Sequence, residues 1–206
     1  MRFSIFMPTW NRPQFLPRAV ASVTQQTHSD WELHIAAAGT SLECDLPDDP
    51  RILVTRRRHD EHCLNRLMSQ ATGDVFCVAA DDDELVDDAL QIVQQHMPAA
   101  VSWAYGRINV GGRGIAGRKG SYEQLVNGNF IPLPASFWRR QVAIEFDETI
   151  GPAADYDYWL RLWKITEPVF IPRVLSIYGV HPAQDSKVNA ADVEASALRA
   201  RQKART

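Results

Sequence analysis

The stretch Gly73-Asp74-Val75-Phe76-Cys77-Val78-Ala79-Ala80-Asp81-Asp82-Asp83 is an apolar run that ends in three carboxylates. From Val75 to Ala80 it has the length and the side chains of a buried strand, opened by Gly73-Asp74. A strand of that kind delivers negative charge to the rim of a sheet. Like charges that close push each other's pKa values apart unless a cation sits between them. Mg²⁺ and Mn²⁺ take oxygen ligands and bridge carboxylates to phosphates. The stretch therefore points to a metal–diphosphate site. It also has a plainer reading. Leu85, Leu90, Val93 and Met97 follow at helical spacing, and acids at a helix start are favoured by capping and by the helix dipole.

Outward from this stretch, strand and helix patterns alternate. Phe3 to Met7 reads as a first strand. Asn11-Arg12-Pro13 supplies a capping side chain and a first-turn Pro, and Phe15, Leu16, Ala19, Val20 and Val23 continue as a helix to about Gln26. Trp31 to Ala36 and Arg51 to Thr55 read as strands, Glu61 to Ala71 as a helix broken by Gly73, and Leu85 to Met97 as another helix. Such alternation predicts a parallel sheet covered on both faces, with ligands at the carboxyl ends of its strands. The loop Pro8-Thr9-Trp10-Asn11 and the Asp81–Asp83 loop fall at that edge.

The second half is less regular. Strands are expected over Ala100 to Tyr105, Ala135 to Trp138, Val169 to Ile171 and Val174 to Val180. A short helix is expected over Ser121 to Val126, and an aromatic-rich one over Asp155 to Ile165. Gly111-Gly112-Arg113-Gly114 is a turn and fits neither a dinucleotide nor a P-loop pattern. Ala190 to Thr206 is Ala-rich, ends in Arg199, Arg201, Lys203 and Arg205, and reads as a helix with a fraying end.

With 206 residues, 45% hydrophobic content and a net charge of −3, the chain suits one substantial domain. It lacks the basic footprint of a nucleic-acid binder, and Arg56-Arg57-Arg58 reads as a solvated surface run. Cys44, Cys63 and Cys77 have neither zinc spacing nor an even count, which favours a reducing compartment. No apolar stretch reaches the roughly 20 residues of a membrane span. The expectation is a cytoplasmic protein, at most peripheral to a membrane, with self-association left open.

Four segments, in order, resemble family 2 glycosyltransferases of the GT-A fold. The first is Phe3-Ser4-Ile5-Phe6-Met7-Pro8-Thr9-Trp10-Asn11-Arg12-Pro13, with Leu16, Ala19, Ser22 and Gln26 behind it. The second carries Asn65, Ala71-Thr72-Gly73-Asp74-Val75, Asp81-Asp82-Asp83-Glu84-Leu85 and Leu90. The third is Phe146-Asp147-Glu148 followed by Ala154-Asp155-Tyr156-Asp157-Tyr158-Trp159-Leu160-Arg161-Leu162. The fourth is Ser176-Ile177-Tyr178-Gly179-Val180-His181. Together they run from about Phe3 to Ser186.

The resemblance implies an α/β GT-A fold: a Rossmann-like, mostly parallel sheet, helices on both faces, and a smaller acceptor-side region. One domain would cover 1–206, with 1–98 binding the nucleotide sugar, 99–189 on the acceptor side and 190–206 a C-terminal helix or tail. It implies metal-assisted, inverting transfer of a sugar from a nucleotide-diphosphate-sugar to an acceptor hydroxyl on a glycan, a lipid-linked glycan or another alcohol. The implied donor-binding residues are Pro8, Thr9, Trp10, Arg12, Asn65, Asp81 and Asp82. Mn²⁺ or Mg²⁺ would be held by Asp82, Asp83 and His181. Asp155 would be the base, with Asp157 as the competing candidate. Plainer readings stand beside these: Asp155 as a helix cap, Trp10 as core packing, His181 as structural, Trp159 and Arg161 as support.

Two departures stand out. Ala37-Ala38-Gly39 replaces a common acidic pair, and alanine cannot accept a hydrogen bond from a uracil ring nitrogen; either Glu43 or a backbone carbonyl reads the base, or the donor is not a uridine nucleotide. Ala154 replaces the Glu usual before the base. They motivate an alternative, a nucleotide-sugar-binding protein with impaired catalysis. A nucleotidyltransferase is a third reading, against which Pro8-Thr9-Trp10-Asn11 lacks the glycine-rich basic loop.

Overall fold

A computed structural model describes residues 1–58, 63–182, 184 and 189–205. Nine strands among them join one sheet: β1 (Phe3–Trp10), β2 (Trp31–Ala38), β3 (Ile52–Arg56), β4 (Val75–Val78), β5 (Glu84–Leu85), β6 (Trp103–Val110), β7 (Ile115–Ala116), β8 (Ser136–Arg139) and β9 (Val169–Tyr178). The helices are α1 (Leu16–Thr24), α2 (Leu64–Gln70), α3 (Ala89–His96), α4 (Tyr122–Asn127), α5 (Ala154–Ile165) and α6 (Ala190–Arg205). The spatial order is β3-β2-β1-β4-β8-β6-β9-β5, with β7 paired to β6.

Strands β3, β2, β1 and β4 are parallel, and β8 runs against both β4 and β6. Two reversals restore direction, so β6 points with β4, and β9 is parallel to β6. The carboxyl ends of β1, β2, β3, β4, β6 and β9 thus share one edge.

Side chains alternate across a strand, and both faces of this sheet are apolar. Phe3, Ile5 and Met7 of β1 pack with Leu33, Ile35 and helices α1 and α3. Phe6, with Phe76, Val78, Trp103 and Trp138, faces α2, α4, α5 and α6. Burial on both faces explains why β1, β2 and β4 read as continuous apolar runs rather than as alternating ones.

Several expected elements change. Asn11 does not cap α1. It has φ 50, and its Oδ1 accepts the Thr40 N–H at 2.9 Å, while α1 starts at Leu16 with Pro17 in its first turn. Leu85 belongs to β5, not to a helix; it pairs with Ser176, and α3 begins only at Ala89. The acid run therefore does not start a helix. Strand β9 is continuous where two pieces were expected, its ladder to β6 shifting register near Pro172, which has no N–H to offer. Helix α6 docks instead of fraying: Lys164 Nζ donates to the Ala204 carbonyl at 3.0 Å. The expected start of α2 at Glu61 and the end of the resemblance at Ser186 lie outside the described residues.

Candidate functional site

Parallel register sets the first contact. Phe6 is level with Val78, so three residues further on Thr9 is level with Asp81. Thr9 Oγ1 donates to Asp81 Oδ2 at 2.7 Å. Beyond β1 the chain turns at Asn11 and brings Arg12 back over the acids. Its Nη1 donates to Asp81 Oδ1 at 3.0 Å and to Asp82 Oδ2 at 3.1 Å. Burial raises the Asp81 pKa; the Thr9 hydroxyl and the Arg12 charge pull against it, and the Asp82 charge adds to it.

The end of β9 closes over the same carboxylates. Glu84 and Leu85 pair with Ile177 and Ser176, which carries Gly179 onto the backbone of Asp82. A side chain at Gly179 would overlap the Asp82 carbonyl. Gly179 N–H donates to Asp83 Oδ1 at 2.8 Å. Burial pushes the Asp83 pKa up to about 7; the Gly179 amide opposes this, and the Asp82 and Asp81 charges reinforce it. Two residues after Gly179, His181 Nε2 stands 2.8 Å from Asp82 Oδ2, and its ring lies 4.5 Å from that of Phe15.

Three carboxylates therefore share one rim with the Arg12 guanidinium and an imidazole. Among the described residues no group of three His, Cys, Asp or Glu has the arrangement of a complete metal site. The pair Asp82–His181 nevertheless fits a divalent ion: one carboxylate oxygen and one imidazole nitrogen face each other, a donor set suited to Mn²⁺. A bound substrate would have to supply the remaining ligands, as phosphates do.

Asp155 sits in the first turn of α5. Burial raises its pKa to about 6, against hydrogen bonds from the Tyr156 and Asp155 amides and the Asn129 side chain. Asn129 Oδ1 also accepts the Ile131 N–H at 3.0 Å. Strand β8 pairs antiparallel with β4, Phe137 opposite Cys77, so the chain from Asn129 to Ala135 enters β8 at the edge where β4 leaves for Asp81. Asp157 points elsewhere. It is 1% exposed and is neutralised by Arg161 Nε at 2.7 Å and Lys203 Nζ at 3.1 Å.

Thr9, Arg12, Asp81, Asp82, Asp83 and His181 thus come together by direct contact. Pro8 is half-buried beside them and Trp10 is 42% exposed at the strand end. Asn65 is not in this cluster. Its Oδ1 accepts the Phe146 N–H at 2.7 Å and its Nδ2 reaches the Phe146 carbonyl and Glu148, both at 3.0 Å. Ala37 and Ala38 are buried, and their carbonyls accept the Arg57 N–H and the Ser41 hydroxyl. Glu43 is exposed. The sequence reading missed Asn129 and the close fit at Gly179. Asn127-Gly128-Asn129 signals a turn, but nothing local says where the turn points.

The family model described as glycosyl transferase family 2 matches residues 4–146. An Escherichia coli K12 protein named as a colanic acid biosynthesis glycosyl transferase, WcaA, is 28% identical over 196 residues, covering 80% of this chain and 69% of its own. The structure of S. aureus TarS 1–349 with UDP has a TM-score of 0.66 at 14% identity, covering 99% of this chain and 65% of that one. The mannosyltransferase PcManGT of Pyrobaculum calidifontis, solved with GDP-Man and Mn²⁺, has a TM-score of 0.64 at 13% identity, covering 98% and 73%. This chain therefore spans less than two thirds of the TarS structure. Asp155 and His181 lie beyond the family-model match.

Proposed function

The chain belongs to glycosyl transferase family 2 and has the GT-A fold, and from this we propose that it moves a sugar, with inversion, from a nucleoside diphosphate-sugar to an acceptor hydroxyl. One observation supports the reading: Thr9, Arg12, Asp81, Asp82 and His181 meet within hydrogen-bond distance at the carboxyl ends of the strands, and Asp155, its pKa raised by burial to about 6, is the candidate base. A base with a pKa just below neutral is ionised at pH 7 yet still basic enough to accept a proton.

In this reading Asp155 takes the proton of the acceptor hydroxyl. The oxygen's electron pair attacks the anomeric carbon from the face opposite the diphosphate. The carbon–phosphate-oxygen bond breaks, and the nucleoside diphosphate leaves with its electrons. Asp81, braced by Thr9 and Arg12, receives the ribose side of the nucleotide, and Trp10 offers a flat face to the base. Asp82 and His181 would hold a divalent ion, whose charge would stabilise the leaving diphosphate. The Mn²⁺ bound by PcManGT supports the use of a divalent ion. Asp83 anchors the Gly179 turn that keeps His181 in place.

The test is thermal denaturation with UDP, GDP, ADP and CDP, with and without Mn²⁺, followed by nucleoside diphosphate release from the matching sugar donors. Mn²⁺-dependent stabilisation by one diphosphate, with release abolished in Asp155→Asn, is the expected result. Normal turnover in Asp155→Asn removes the mechanism. A second reading, a binding protein without turnover, draws support from Ala37, Ala38 and Ala154. Stabilisation with no release from any donor selects it.

A further inference from the structure

Helix α6 lies along α5 and reaches the loop that leads into it. Ser196 is completely buried. Its Oγ donates to the Ile150 carbonyl at 2.7 Å and accepts the Ala153 N–H at 2.9 Å. The same carbonyl accepts Arg199 Nη2 at 2.6 Å. Between these contacts Gly151 has φ +90, and a Cβ there would stand 3.3 Å from Arg199 Nη2. Ala153 occupies the cap position of α5 and has no side chain that can cap. Its own N–H is held by a helix 43 residues further along the chain.

We propose that Ser196, backed by Arg199, is a positioning residue for Asp155, because it fixes the direction in which the first turn of α5 presents that carboxylate. The inference rests on Asp155 acting as the base. Asp155 is two residues beyond the N–H that Ser196 holds. A first turn released at Ala153 carries its carboxylate away from the acceptor oxygen. Misplacement of a reacting group by about 1 Å costs on the order of 100-fold in rate.

The surroundings of Asp155 make a specific readout available. The groups against it are the Asp155 and Tyr156 amides and the Asn129 side chain, and burial alone raises its pKa. On the packed helices Asp157 pairs with Arg161 and Lys203, Lys203 also with Asp147, Arg199 is bound to the Ile150 carbonyl, and the Arg201 and Arg205 charges act on Tyr156. Loosening the turn admits water to the carboxylate. Its pKa then falls, and the acid limb of the rate profile moves to lower pH.

The experiment measures diphosphate release from UDP-glucose, UDP-N-acetylglucosamine and GDP-mannose with Mn²⁺ between pH 5 and 8. It compares the wild-type chain with Ser196→Ala, Ser196→Thr, Arg199→Met and Asp155→Asn. In Ser196→Ala, kcat falls about 10- to 100-fold, the donor KM stays within about twofold, and the acid limb moves down by about half a pH unit. Ser196→Thr, which keeps the hydroxyl, restores most of kcat, and Arg199→Met shifts both readouts less, in the same direction. An inactive Asp155→Asn beside a Ser196→Ala with wild-type kcat and acid limb overturns the proposal. Where Ser196→Ala does not fold, an unchanged Arg199→Met overturns it. Normal turnover in Asp155→Asn sinks the base assignment, and the positioning role with it.

Discussion

His181 Nε2 and Asp82 Oδ2 stand 2.8 Å apart, although 99 residues separate them in the chain. One comes from the end of β9 and the other from the loop after β4. The antiparallel step between β5 and β9 brings them level. In the proposed reading a divalent ion shared by this pair would make both residues matter to metal affinity. Replacing His181 by Ala should weaken Mn²⁺ by about 10- to 100-fold, the range seen when a group supporting a metal is lost. A Mn²⁺ titration of diphosphate-dependent thermal stabilisation reads this directly, and unchanged Mn²⁺ dependence would remove His181 from the ion's surroundings.

Asp155 should set the acid limb of activity. A base works only when deprotonated, and burial has lifted this carboxyl to about 6. Turnover should therefore be full above pH 7 and fall about tenfold per pH unit below 6. Asp155→Asn should lower kcat by about 10²- to 10⁴-fold while leaving nucleoside diphosphate binding unchanged. A flat profile from pH 7 to 5 would contradict the assignment.

Asp157 offers the control for that variant. It is buried between Arg161 and Lys203, so its charge serves packing. Removing the charge takes the carboxylate partner from Arg161, while Lys203 keeps Asp147 at 2.7 Å, and costs about 1–3 kcal/mol. Asp157→Asn should lower the melting temperature by several degrees and retain turnover below that melt. Loss of turnover equal to that of Asp155→Asn, with the melt unchanged, would reverse the two roles.

Gly179→Ala should disable the rim. Its new methyl would overlap the Asp82 carbonyl, and backbone cannot yield as a flexible side chain does. The Asp82 loop and the β9 turn must separate, which breaks the Gly179–Asp83 hydrogen bond. Loss of Mn²⁺-dependent nucleotide stabilisation is expected, measured by calorimetric titration. Wild-type affinity would show that the close approach is unimportant.

Glu32 supplies a stability prediction away from the site. It is 2% exposed and is held by the Ser4 hydroxyl at 2.6 Å, the Thr72 amide and hydroxyl, and Arg2 at 3.1 Å. Burial raises its pKa, but the Ser4 and Thr72 hydrogen bonds together outweigh this and hold it down, from 4.5 to about 2. The folded value lies below the unfolded one. The contribution is therefore complete above about pH 4.5 and is lost as pH falls toward 2, on the order of 2–3 kcal/mol in all. Glu32→Gln should lose a similar amount at pH 7 and nearly converge with the wild-type chain at pH 2.5, read by urea denaturation. An equal gap at both pH values would contradict the linkage.

Much of the architecture was legible in the residues. The apolar runs of β1, β2 and β4 announced buried strands, and a short helix was expected from Ser121, where the structure has a full capping box. Boundaries were less legible where long-range pairing decides them. Leu85 fits a helical repeat with Leu90, yet pairing with Ser176 draws it into a strand. Asn11 has capping chemistry, yet a contact with Thr40 on another loop claims its side chain.

For the site, local pattern alone determined that three carboxylates end a buried strand, because a run of apolar side chains has to be covered and the acids after it have to meet the rim. It also determined the resemblance through which Asp155 and His181 became candidates. Only the tertiary structure decided which acid does what. Register between β1 and β4 gave Asp81 to Thr9, and the return of β9 gave Asp82 to His181 and Asp83 to Gly179. Helix α6 gave Asp157 to Lys203 and held the Ala153 N–H beside Asp155. Hydrogen bonds act over about 3 Å, so the partner of each carboxylate is set by which distant strand or helix the fold lays against it, and spacing along the chain carries no record of that.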